Sequence, residues 1–561
     1  MKKYLLSLLT LLLGANLYAQ SNDEIIFKAM QDEAMRSLNE LQVENVQKPS
    51  FVSYALFDGR TLNIQSSLGA TIQIDERPLR NHGVQLLIGD YSCTSDCDYN
   101  GRYLSNKSAV ETDYGQIRRE LWFTTDLLYK NKSTDLAGKT SLRKQRIMSP
   151  EEAALPDFVT IEPIVKSVEG YEFDMNRTEW EKKVNELSAI FQNYPKLYDS
   201  KVELDINDFN YYLVTSEGTV VKQPMNVAFI GASASVRTEE GTEYTDQFRL
   251  YVPTDLAFPS MDELKKKVDE FAKNLTAFAE APVIDEFYSG PVLFLDETVM
   301  PMFTKNLLTS EGLLTQRKAE DINSMIGLFW GDMAGSKKTL EYRIGQRVLD
   351  SRLTVKHTPF LKEYDGVKLM GHYEVDAEGV VPAEELVLID TGIMCTMLNG
   401  RIPTLKSPNT TGSQRFAIDE DVIATSVAPG VLRVDVNGGQ TREELEAQLI
   451  KLAKADNMKY AYIVTRMNGN INLLYKVDVN TGEKTLVRKA DITPVSLGQL
   501  KKIAGISNHA IASNFMVKGA IPASIIYPDA ILLENVEISE FDTTQDKVSP
   551  LQNPLERDGA N

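Results

Sequence analysis

Residues 201–253 constrain the fold most. "FNYYLVTSEGTVVKQ" and "MNVAFIGASASVRTEEGTEYTDQFRLYV" are long stretches of β-branched and aromatic residues, broken by short Gly-containing turn signals and without a helical period. Strands joined by tight turns build an antiparallel sheet, and such a sheet must bury at least one face. Helical segments on either side supply the cover. In "DEIIFKAMQDEAMRSLNEL", Ile26, Met30, Ala34, Leu38 and Leu41 fall on one face, a polar helical stretch spans about 112–148, and another helix runs from Thr178 until Pro195 stops it. Ser260-x-x-Glu263 is a capping box that opens a further helix, "MDELKKKVDEFAKNLTAFAE".

More strands precede that region. "PSFVSYALFDGRTLNIQSSLGA" reads as a strand, a turn at Asp58-Gly59 and a second strand, with "HGVQLLIGDYSC" adding another. After residue 281 the chain is strand-rich with few helices. "KLMGHYEVDAEGVVPAEELVLIDTGIMCTML" reads as two or three strands, and Thr441-x-x-Glu444 caps one helix. A meander from 459 to 492 has turns at Asn468-Gly469 and Thr481-Gly482. At 561 residues the chain is too long for a single core. We expect an α+β protein of two domains: an N-terminal α/β domain, 20–281, with a twisted antiparallel sheet and helices on one face, and a C-terminal strand-rich domain, 282–541. A polar tail, 542–561, follows.

The N-terminus "MKKYLLSLLTLLLGANLYAQ" pairs Lys2 and Lys3 with a short apolar run and a small-x-small ending at Ala19, the pattern of a signal peptide over 1–19. Export to the periplasm or beyond is the expectation. The apolar run is too short to span a bilayer, no later run is long enough, and no Cys follows the cut to carry a lipid. Loss of Lys2 and Lys3 leaves 58 basic against 79 acidic residues, a charge of about −21. A surface so acidic excludes nucleic acid as a partner, because phosphate binding needs clustered cations.

The chemistry-bearing residues are sparse. His82, His357, His372 and His509 do not stand at helical zinc spacing, and H-E-x-x-H is missing, so each is expected to be structural. "GASAS" at 231–235 lies in a strand where no nucleophile elbow forms, Ser141-x-x-Lys144 sits in a charged helical segment, and no P-loop or G-x-G-x-x-G occurs. Cys93 and Cys97 are a candidate disulfide in an oxidising compartment, whereas Cys395 reads as a buried thiol. Two features remain. "GPVLFLDETVMPMF" at 290–303 is a buried strand delivering Asp296 and Glu297 to a helix start. "LNGRIPTLKSPNTTGSQRF" is a polar loop in which Arg401, Lys406 and Arg415 could clasp a peptide main chain or carboxylate, or simply face solvent.

The second half resembles the TldD/PmbA family of metallopeptidase-related, gyrase-modulator-like proteins. "IGQRVLD", "YEVDAEGVVPAEELVLIDTGIMCTMLNGR", "TTGSQR", Pro429-Gly430 and "KGAIPASIIYPDAILLENVEI" follow the family's order, and "LVTSEGTVV" and "YSGPVLFLDETVMPMF" resemble its earlier segments. The resemblance implies that an active subunit holds zinc with H-E-x-x-x-H at the domain junction and a distant Cys. An ungapped overlay puts Leu295 and Met300 at the histidines and Asp296 at the Glu; a one-residue slip brings in Glu297, and Asn514 stands near the Cys.

Leu cannot bind zinc, and Met is a poor, soft substitute. The chain therefore looks like the family's metal-free subunit, with no cofactor of its own, forming a homodimer or a heterodimer with an H-E-x-x-x-H-bearing TldD-like relative. Its ligand would be an unfolded or extended peptide added along a strand edge, with Arg401 and Arg415 making peptide or structural contacts. The alternatives are an active peptidase in which Asp296, Glu297 and a histidine hold zinc, and a peptide-binding envelope scaffold.

Overall fold

The computed structural model describes residues 21–540, except 45, 285, 316, 318–319, 321–339 and 469–470. The expected signal peptide, 1–19, and the expected polar tail, 542–561, lie outside the described residues.

The N-terminal half is built on a nine-stranded sheet whose backbone is three very long antiparallel strands, Pro49–Ser67, Ala70–Asp90 and Leu197–Thr215. Strands Val227–Arg237 and Glu243–Val252 extend it, and Val220–Pro224 pairs beside Leu197–Thr215. Alternation assigns the faces. Val52, Tyr54 and Leu56 pack under helices Asn22–Glu40 and Tyr114–Gln145, while Leu62 and Ile64 pack under Arg177–Ser188 and Met261–Glu280. All these helices cover one face. From the other face, Ala55 and Phe57 meet Val375, Phe416 and Ile423 of the C-terminal half.

The expected turn at Asp58-Gly59 does not exist. Pro49–Ser67 runs straight through it, with Gly59 paired to Leu79 on one side and Phe209 on the other. A Cβ on Gly59 would stand 2.2 Å from the Asp208 carbonyl oxygen, so this glycine permits close strand approach. The reversal comes at Leu68-Gly69, where both residues have positive φ and Ser67 pairs with Ala70.

The C-terminal half is a sandwich. A seven-stranded sheet containing Tyr288–Leu295, Tyr460–Asn468 and Ala530–Glu540 faces a six-stranded sheet containing Leu353–His357, Val431–Val436, Ala510–Val517 and Ile521–Pro528. Val292 and Phe294 from the first sheet, with Val355, Leu432 and Ile525 from the second, lie in the shared core. Helix Arg442–Ala455, opened by the Thr441 capping box, covers the outer face through Leu445 and Leu449.

Strands form at Leu386–Asp390 and Ile393–Met394, but "YEVDAEGV" is not a strand. It winds around Asp376, whose carboxylate accepts the N–H groups of Glu378, Val380 and Gln414 at 2.9, 2.8 and 3.1 Å. Cys395 is exposed, contrary to expectation, because Met394 turns inward and alternation sends the next side chain out.

Candidate functional site

The junction strand Tyr288–Leu295 alternates between two cores. Val292 and Phe294 enter the sandwich; Leu293 and Leu295 enter the layer under helix Arg442–Ala455. Met300, on helix Met300–Leu307, packs against the sandwich core. Leu295 and Met300 thus belong to different cores and do not converge.

Asp296 ends the strand with φ of 54°, a left-handed conformation that Asp tolerates better than most residues, and its N–H reaches the Asp529 carbonyl at 2.8 Å. The Arg442 guanidinium takes the Asp296 carboxylate and also reaches Asp529 Oδ2 at 2.7 Å. His509 Nδ1 stands 3.1 Å from that same oxygen. Glu297 points to solvent. Asn514 is saturated: its Nδ2 donates to the Tyr251 and Lys368 carbonyls at 3.0 and 2.9 Å, and its Oδ1 accepts from the Met370 N–H at 3.0 Å and from Ser524 Oγ at 2.6 Å.

Zinc needs three or four converging N, S or O ligands. Here two of the overlaid positions are apolar and apart, the acid is held by an arginine, and the amide near the Cys position has its bonds made. The residues present do not fit the ion. Among the described residues no group of three His, Cys, Asp or Glu could hold one.

Arg401 serves as a structural contact. It is fully buried, grips Glu217 through both terminal nitrogens at 2.7 and 2.8 Å, donates Nε to the Val159 carbonyl at 2.8 Å and stacks 4.0 Å over Phe158. Its own N–H donates to Glu378 at 2.6 Å. Asn399 organises the rest of the polar loop, bonding to Ser407, Thr411 and Thr315. The Lys406 N–H donates to Glu341.

Arg415, in contrast, is only 7% exposed yet has no carboxylate partner among the described residues. Its guanidinium lies 3.9 Å over Tyr373 and makes one long bond, 3.4 Å, to the Pro429 carbonyl. Burial pushes its pKa down. It lines a cavity of about 640 Å³ between the N-terminal sheet and the C-terminal half.

Two of the histidines are held inside the fold. His82 bonds to Ser108 and Thr124, and His357 accepts the Gly430 N–H at 3.0 Å. Burial, then the Arg415 charge, lowers His357 to about 3. Cys93 and Cys97 are separate thiols rather than a disulfide, with Cys97 directed at the Ser95 and Asp135 carbonyls.

Sequence reasoning missed the acidic pair Asp376 and Glu378. Both are buried, and desolvation raises both, with the Asp376 charge adding to the rise at Glu378. The only signal was the short spacing in "DAEG".

Residues 316–540 match the model of the PmbA/TldA metallopeptidase C-terminal domain. Among solved structures it is similar to a candidate modulator of DNA gyrase from Thermotoga maritima, at 15% identity over 87% of this chain and 96% of that one, with a TM-score of 0.55. TldE from Thermococcus kodakarensis is 12% identical over 87% and 97%, with a TM-score of 0.52. A candidate modulator of DNA gyrase from Bacteroides thetaiotaomicron is 12% identical over 93% and 99%, with a TM-score of 0.55. These likenesses show the fold. No curated protein matches the sequence.

Proposed function

We propose that this chain is an exported, non-catalytic member of the TldD/PmbA family that binds extended peptide and works as a homodimer or beside an H-E-x-x-x-H-bearing relative. Its two domains would be 20–281 and 282–541. The observation that carries the reading is at the junction, where Leu295 and Met300 enter separate cores and Arg442 holds the Asp296 carboxylate. Asp296 and Asp529 converge on a guanidinium, a cation built into the fold. The signal-like N-terminus supports export. Among the described residues no helix is long and apolar enough to cross a membrane.

Elemental analysis of the purified mature protein, alone and mixed with an intact-motif relative, tests this. Zinc far below one per chain in the protein alone, together with no peptidase activity, is expected. Near one zinc per chain would overturn the reading, and activity confined to the mixture would identify a partner subunit.

A further inference from the structure

The cavity beside Arg415 is assembled from both halves of the molecule. Tyr211 and Gln223 contribute the N-terminal sheet wall, and the backbone from His372 to Val375 forms the opposite one. Gln223 fixes their spacing: its Oε1 accepts the N–H groups of Glu374 and Val375 at 3.0 and 3.1 Å, and its Nε2 donates to Tyr211 and to the Val375 carbonyl at 2.9 and 3.2 Å. The volume, about 640 Å³, suits a short peptide end rather than a folded partner.

The charges are unequal. Glu374 is paired with Lys166 at 2.7 Å, Lys368 is paired with Glu363, and Glu169 lies exposed at the rim. Burial and the nearby Lys362 charge hold His372 below its ordinary pKa, so it is neutral near pH 7. Among the described residues Lys362, at the mouth, has no ion-pair partner. Arg415 has none either, and the acid whose charge acts on it, Asp376, already accepts three backbone N–H groups. A buried guanidinium with unused donors in a cavity is an anion site that the protein itself does not fill, because desolvating an unpaired cation is costly.

We propose that Arg415 anchors the carboxylate of an extended peptide in this cleft, with Lys362 drawing it in at the mouth. The inference rests on the peptide-binding reading and specifies its chemistry. A planar guanidinium matches a carboxylate through two parallel bonds, which an ammonium cannot copy. The carboxylate is either the peptide's C-terminus or an acidic side chain.

Fluorescence anisotropy of the mature protein separates these with three labelled hexapeptides of Ala and Val: one with a free C-terminus, one amidated, and one amidated with an internal Glu. Amidation is expected to weaken binding tenfold or more. Recovery by the internal Glu would assign the side-chain carboxylate; failure to recover would assign the C-terminus. R415Q is expected to abolish the preference for the free end, with R415K recovering little of it, and the surface variant K362Q should weaken binding two- to fivefold at low salt. Equal binding of free and amidated peptides overturns the carboxylate anchor alone. Absence of binding by all three overturns the peptide-binding reading beneath it.

Discussion

Two places in this molecule bring charge to a position where chemistry is possible, and they differ in what answers it. At the junction, Asp296 and Asp529 meet Arg442, so acids and cation are matched within the chain. In the cleft, Arg415 meets a tyrosine ring and one distant carbonyl. A matched charge is part of the scaffold; an unmatched one inside a cavity is available to a ligand. Arg401 sharpens the contrast, because it lies 14 residues before Arg415 in the same polar stretch and grips a carboxylate through both terminal nitrogens.

The largest effect should come from that loop. R401M strands Glu217 beside a buried apolar side chain, and chemical denaturation should register a loss of about 3–5 kcal/mol. N514A, which removes a side chain making four hydrogen bonds, should cost about 3 kcal/mol, visible as a lower urea midpoint at unchanged slope. An unaltered midpoint would mean that the tie between Tyr251, Lys368 and Ser524 is idle.

A smaller effect concerns pH. His357 is held neutral in the fold, with a pKa of about 3 against 6.5 when unfolded. Above pH 6.5 neither state is charged and the folded state is at full advantage. As pH falls from 6.5 toward 3, the unfolded chain binds a proton that the folded one refuses, so stability declines. The decline from this group should be about 2 kcal/mol between pH 7 and pH 5, and H357Q should flatten it.

Smaller still is R415M, which should change stability by less than about 1 kcal/mol, since it removes a buried cation with no partner to strand. If R415M proved as damaging as R401M, the contrast between the two arginines would collapse. D296A ends the series at about 1 kcal/mol or less, its carboxylate being half exposed and Arg442 keeping Asp529.

Much of the fold was readable because local signals and burial agreed. The capping boxes at Ser260 and Thr441 open the expected helices, and the strand from Leu197 alternates until its second half, where both faces are covered. Asp58-Gly59 misled because a turn dipeptide and a close-packed strand position ask for the same residue, and only Phe209 and Leu79 on either side distinguish them. The strand and helix start that carry Leu295, Asp296 and Met300 were readable, yet Arg442 was invisible: it lies 146 residues from Asp296 in the chain and meets it only in the fold. The difference between Arg401 and Arg415 was likewise unreadable, since both are arginines in one polar stretch and their partners come from distant turns and loops.

Asn514 carries one further consequence. It bonds at once to Tyr251 of the N-terminal sheet and to the Lys368 hairpin bordering the cleft, while Gln223 bridges from the same sheet to the opposite wall. Held at both sides, the cleft behaves as a calliper locked at one setting. It would measure what enters by fit to a fixed width, rejecting a folded or branched chain at the mouth without any moving part.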